Sequence, residues 1–128
     1  MTIWQLADEI ADFLIGSGGP YREGWNPFTE YLLLRSLAED NYVLHRKATG
    51  EIVLFVNYWL TNQPYSILVG DIPGDTVNGQ TLVVIDAAGN ARDILRALRP
   101  KLRDGGMAWF SEKRKRMRHF PNQRCSHG

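Results

Sequence analysis

Apolar residues in the first stretch of the chain recur at helical spacing. Ile3, Leu6, Ile10, Phe13 and Leu14 fall on one face of a helix over residues 2–14, with Thr2 placed to cap its start and Gly16 to end it. Gly16-Ser17-Gly18-Gly19-Pro20 then breaks regular structure. Asn26-Pro27 restarts a helix, as a cap followed by proline in the first turn, and this helix is expected to reach about residue 39. Its face of Phe28, Tyr31, Leu32, Leu34 and Leu37 is too apolar for water and needs a sheet beneath it.

The period then changes. Residues 42–47 and 51–60 are rich in β-branched and aromatic side chains and flank Ala48-Thr49-Gly50, which predicts a β-hairpin. Residues 61–80 carry two prolines and three glycines and read as loop, with a short strand at 66–69. Leu82-Val83-Val84-Ile85 is a continuous apolar run that suits a strand buried on both faces. Ala87-Ala88-Gly89-Asn90 turns the chain into a helix over 91–103, closed by Gly105-Gly106, and 107–112 returns as a strand. The unit from 82 to 112 is long enough for a right-handed parallel crossover that covers one face of a sheet, and the two opening helices can cover the other. The predicted class is therefore α/β (α+β), a three-layer mixed sheet flanked by helices within one domain, 1–112. Ligands of such sheets bind beyond the carboxyl ends of the strands, where Asp86 is expected.

At 128 residues, with 44% hydrophobic and 23% charged residues, the chain can bury a core. It has no apolar run of the roughly 20 residues that span a bilayer, and Met1-Thr2-Ile3-Trp4-Gln5 lacks the basic start of a secretory signal, so a cytoplasmic protein is expected. Its single cysteine, Cys125, permits neither an internal disulfide nor a cysteine metal cage and reads as an incidental surface thiol. The net charge of +1 conceals an asymmetry. Six of the 15 basic residues (Lys113, Arg114, Lys115, Arg116, Arg118, Arg124) fall in 113–128 without an acid, which leaves nine against 14 acids, or −5, in the rest. An acidic body with a basic tail over 113–128 points to an anionic partner, nucleic acid or an acidic protein surface; a solvated tail is the alternative.

Asn41-Tyr42-Val43-Leu44 at the first strand, Ile85-Asp86 closing the central strand and the glycine-containing turn into the next helix resemble the GNAT-like RTX toxin-activating lysine acyltransferases. The likeness covers most of residues 17–112 and suits a divergent member, such as one carried by a phage or prophage. It implies a GNAT-like fold and transfer of a fatty acyl group from acyl-carrier protein, or acyl-CoA, to lysines of a protein substrate, with no tightly bound cofactor. In that family a histidine after the first helix and an aspartate at the end of a central strand are catalytic. The aspartate corresponds to Asp86. Tyr21, in Pro20-Tyr21-Arg22 with Trp25 and Pro27 following, stands where the histidine is expected, and a phenol of pKa about 10 is a poor general base.

Asp86 follows four apolar residues, so its carboxylate is expected to be partly desolvated, either to orient a base or accept a proton from lysine, or to serve as a turn acid before the helix. His45 in the first strand is a candidate replacement base or a structural strand histidine. His119 and His127 lack metal-site spacing, and no metal is expected. Around the donor, Gly89 offers a turn with one glycine, Asn90 and its neighbouring N–H groups could stabilise charge on the thioester oxygen, and Arg92 and Arg96 begin a stripe with Arg99 and Arg103 that could dock an acidic carrier protein. The stripe lies opposite Ile94, Leu95, Leu98 and Leu102, and a solvated helix face is its plainer reading. Trp4, Trp25, Trp59 and Trp109 read as core or pocket walls rather than stacking platforms. The second functional reading is a non-catalytic descendant of the fold that works as an assembly or interaction component, for example in a phage particle.

Overall fold

A computed structural model describes residues 1–18, 25–63, 78–111, 114 and 116–121. Among them the chain is a mixed α+β protein with three helices and a five-stranded mixed sheet in the order β1-β2-β3-β4-β5. The helices are α1 (Ile3–Gly16), α2 (Pro27–Ala38) and α3 (Ala91–Leu98); the strands are β1 (Tyr42–Arg46), β2 (Ile52–Thr61), β3 (Thr81–Ala88), β4 (Met107–Ser111) and β5 (Arg116–Phe120). The strand expected at 66–69 lies outside the described residues. The chain divides into two compact units, Met1–Asn57 with Asp86–Ala97, and Tyr58–Ile85 with Leu98–Gly128.

In the first unit Thr2 caps α1 in a reciprocal box with Gln5: the Gln5 N–H donates to Thr2 Oγ1 (3.1 Å) and the Thr2 N–H donates to Gln5 Oε1 (2.8 Å). The helix buries Ala7, Ile10 and Leu14. Ile3 and Trp4 are exposed, Trp4 to 68%, so Trp4 is not the core wall expected. Trp4 shares a stripe with Ala7 and Leu14, but of the three only Ala7 and Leu14 are buried. Asn26 caps α2 by accepting from the Thr29 N–H (3.0 Å), and α2 buries Leu32, Leu33, Ser36 and Leu37. The buried face is thus rotated from the one expected, and Phe28 and Tyr31 stay in solvent. Ser36 fits the buried face because its hydroxyl donates to Leu33 O (2.9 Å).

The expected hairpin forms, with Tyr42 opposite Asn57 and Leu44 opposite Phe55 in antiparallel pairing and a register shift between His45 and Arg46. Tyr42 and Leu44 pack on a core of Ala7, Ile10, Leu14, Leu33, Leu37, Ile52, Phe55 and Ala88. Arg46 reaches across to α1 and pairs both guanidinium ends with Glu9 (2.5 and 2.8 Å). These hydrogen bonds hold the Glu9 carboxyl below the ordinary carboxylate range. A depressed folded pKa gives stability that is present above the unfolded value of about 4.3 and is lost as pH falls through the folded one. Glu9→Gln should therefore lower the melting temperature at pH 7 and leave it equal to wild type near about pH 2, where both chains lack the charge. An unchanged difference at acid pH would assign the effect to packing.

In the second unit Trp59 is fully buried in β2. Leu82 pairs with Met107 and Val83 with Ala108 in parallel, as the expected crossover requires. The helix between these strands is shorter than expected. α3 ends at Leu98 and the chain continues as a 3-10 turn, Arg99–Lys101, because Pro100 has no N–H to donate to Arg96 O and disfavours helical backbone at Arg99. The segment expected to be a basic tail is also corrected. Residues 116–120 form β5, antiparallel to β4 from Ser111 opposite Arg116 to Met107 opposite Phe120. Its two apolar residues, Met117 and Phe120, fall on opposite faces among arginines and do not announce a strand, and the pairing comes from the edge that β4 offers.

Candidate functional site

Asp86 lies inside β3 rather than at its end, since the strand runs on through Ala88. It is only 8% exposed, and alternation puts it on the same face as Ala88, which belongs to the core under α1 and α2. Its backbone N–H donates to the side chain of Asn57, at 2.9 Å to Oδ1. Asn57 is fully buried and its Nδ2 donates to Ser36 Oγ (2.9 Å), whose own proton goes to Leu33 O. The directions in this chain are forced. A backbone carbonyl can only accept, so Ser36 donates to it and accepts from Asn57; a backbone N–H can only donate, so Asn57 presents its oxygen to Asp86. The backbone of a buried acid in β3 is thereby held by Asn57 of β2, which Ser36 of α2 orients in turn.

The other candidate residues are placed as follows. Tyr21 lies outside the described residues. His45 pairs with Leu54 and is exposed, and it points to the face opposite Leu44, so the sheet separates it from the face that carries Asp86. Gly89 has φ of +128°, a conformation that favours glycine, and a Cβ there would approach Val53 O at 3.0 Å. Asn90 is the helix cap: its Oδ1 accepts from the N–H groups of Arg92 (2.9 Å) and Asp93 (3.3 Å). That use occupies the first free N–H groups of α3. Arg92 and Arg96 are exposed on α3, with Arg96 beside Asp93 at 3.7 Å. The four-arginine stripe does not exist on one helix, because Arg99 sits in the 3-10 turn and Arg103 beyond it donates to Gly79 O (3.1 Å). His119 lies on β5, where Nε2 donates to Gly105 O (2.5 Å), whereas Cys125 and His127 lie outside the described residues.

Two residues of this arrangement, Asn57 and Ser36, were not singled out from the sequence. The available signal was Asn57 itself, one polar side chain within the run Ile52 to Leu60, since a buried amide needs partners and so marks a built polar site. Among the described residues no group of three His, Cys, Asp or Glu is placed to hold a metal ion, and no helix is long and apolar enough to cross a membrane. The chain matches no protein-family model and no curated protein.

Proposed function

We propose that the chain is an acyltransferase-like domain of GNAT-like, three-layer architecture, in which Asp86 handles the proton of a substrate lysine. The observation that carries this reading is the burial of the Asp86 side chain in β3, at a position whose backbone N–H is held by Asn57. A carboxylate is costly inside a core, and buried carboxylates concentrate where proton transfer is needed. In the step proposed, lysine Nζ forms an amide bond to the acyl carbon of an acyl-carrier protein or acyl-CoA thioester. The carbon–sulfur bond breaks, and the proton given up by the amine passes by way of Asp86 to the departing thiol. Arg92 and Arg96 give an acidic carrier a positive landing site, Gly89 lets the chain turn tightly into α3, and Tyr21 contacts substrate or donor.

Incubation with a panel of acyl-carrier proteins and acyl-CoAs, read by intact mass of candidate protein substrates, tests this reading. Transfer of one acyl mass is expected from the wild type, with at least about a hundredfold loss in Asp86→Asn. Absence of any Asp86-dependent transfer across the panel would sink it.

The exposure of Ile3 and Trp4 on the first turn of α1 favours a second reading, in which the domain is a non-catalytic assembly or interaction component, working in the cytoplasm or in a phage particle. Under that reading the protein sizes as a complex whose formation needs Trp4 and ignores Asp86. A monomer indifferent to partners in a lysate counts against it.

A further inference from the structure

β4 and β5 form a two-stranded ribbon whose faces can be read from its register. Trp109 lies opposite Arg118, Ser111 opposite Arg116 and Met107 opposite Phe120, so Trp109, Arg116, Arg118 and Phe120 share one face. On that face the Trp109 and Phe120 rings lie 4.8 Å apart between centroids, inclined by 34°, and the Arg118 guanidinium sits 6.0 Å from the Trp109 ring centre. Phe120 is half exposed, Arg116 is exposed, and Arg114 projects from the turn between the strands. Among the described residues no ion pair engages Arg114, Arg116 or Arg118. The ribbon therefore presents uncompensated cations beside a half-exposed Phe120 ring and a partly exposed Trp109 ring, within a C-terminal stretch, 113–128, that has six basic residues and no acid.

We propose that this face binds single-stranded nucleic acid without sequence preference. The cations are spaced for a phosphate chain: side chains two apart on a strand are about 6.8 Å apart, so Arg116 and Arg118 can meet successive phosphates of an extended strand. The Trp109 and Phe120 rings offer a surface on which unpaired bases stack, and every base has such a face. A duplex keeps its base faces stacked inside and would use the arginines alone. An acidic protein would likewise use the charge and leave the rings idle. The site is separate from Asp86 and stands whether or not acyl transfer is found.

The test is fluorescence anisotropy of the full chain with a labelled oligothymidylate of about 12 nucleotides, within the usual footprint of such surfaces, and with a duplex of the same length. Three neutralised phosphates predict about a twentyfold loss of affinity between about 50 and about 200 mM salt, at a slope near 0.7 per contact. Arg114→Glu, placed in the turn where the fold does not need it, should reduce that slope by about 0.7. Phe120→Ala should weaken binding of the single strand at least about fivefold and leave the duplex unchanged, while Arg116→Lys keeps most of the affinity. Circular dichroism of each variant shows whether β5 has survived, and Arg114→Glu remains informative if the strand variants unfold. No binding at about 50 mM salt, a duplex bound as tightly as the single strand, or polyglutamate displacing the oligonucleotide while Phe120→Ala has no effect would each overturn the proposal, the last in favour of an acidic protein partner.

Discussion

Asn57→Asp, the closest available match in shape, should destabilise the protein by about 3 kcal/mol or more at pH 7 and by much less near pH 3. The amide works because its two ends differ: Nδ2 gives a proton to Ser36 Oγ and Oδ1 takes one from the Asp86 N–H. A carboxylate puts an acceptor against Ser36 Oγ, which has already committed its proton to Leu33 O. It also brings a charge to a position with no solvent exposure, beside a second acid, Asp86. Both effects oppose ionisation, so the new carboxyl has a folded pKa above its unfolded value of about 3.9. The variant is then least harmed below that value, where the carboxyl is protonated in both states and its O–H can stand in for Nδ2, and loses stability as pH rises through it. Urea unfolding of variant and wild type at the two pH values measures the difference. The absence of a penalty at both would mean that shape, rather than hydrogen-bond direction, is what the site reads. Because the same amide holds the backbone of Asp86, the acyl transfer proposed above should fall with it.

The elements most legible in the sequence are those specified by local chemistry. Thr2 with Gln5 and Asn26 with Pro27 place two helix starts, and Gly50 places the hairpin turn, because caps and turns are satisfied by residues a few positions apart. The parallel pairing of β3 with β4 follows from an apolar run, a helix and a second strand within 31 residues, 82–112. What was hidden depends on distant partners. The Ser36–Asn57–Asp86 chain joins positions 21 and 29 residues apart, and no short motif encodes it. β5 was hidden for a different reason: Arg116-Met117-Arg118-His119-Phe120 has the composition of a solvated tail, and only the free edge of β4 makes it a strand. Pro100 stands inside the stretch 91–103 expected as a helix, and its missing N–H decides locally where α3 ends.

The same dependence on distant backbone makes Gly79→Ala the second substitution with a large expected effect. Gly79 is buried just before β3, and a Cβ at this position would fall well inside van der Waals contact of three backbone atoms, Thr61 N, Thr61 Cα and Leu60 C, at the end of β2. A flexible side chain could swing away, but these atoms belong to a strand. Thr61 is itself nearly inaccessible, with Oγ1 accepting from the Gln63 N–H of its own segment (2.9 Å), while the Gln80 N–H donates to Asn62 Oδ1 (3.0 Å) and ties the two segments beside the contact. Gly79 O also accepts from Arg103 (3.1 Å), which fixes the peptide from its other face. Relief therefore requires the segments to separate and strains the Gln80–Asn62 and Gly79–Arg103 hydrogen bonds together. Overpacking of an ordinary core costs about 1–3 kcal/mol, and a rigid backbone clash belongs at or above the upper end, so a loss of about 3 kcal/mol is expected in urea or thermal unfolding. Gly16→Ala is the matched control: a Cβ there meets nothing within 4 Å, it sits in the last turn of α1, and it should leave stability within about 1 kcal/mol of wild type. If Gly79→Ala unfolded no more readily than that control, the close approach of the two segments would not be a feature of the folded protein.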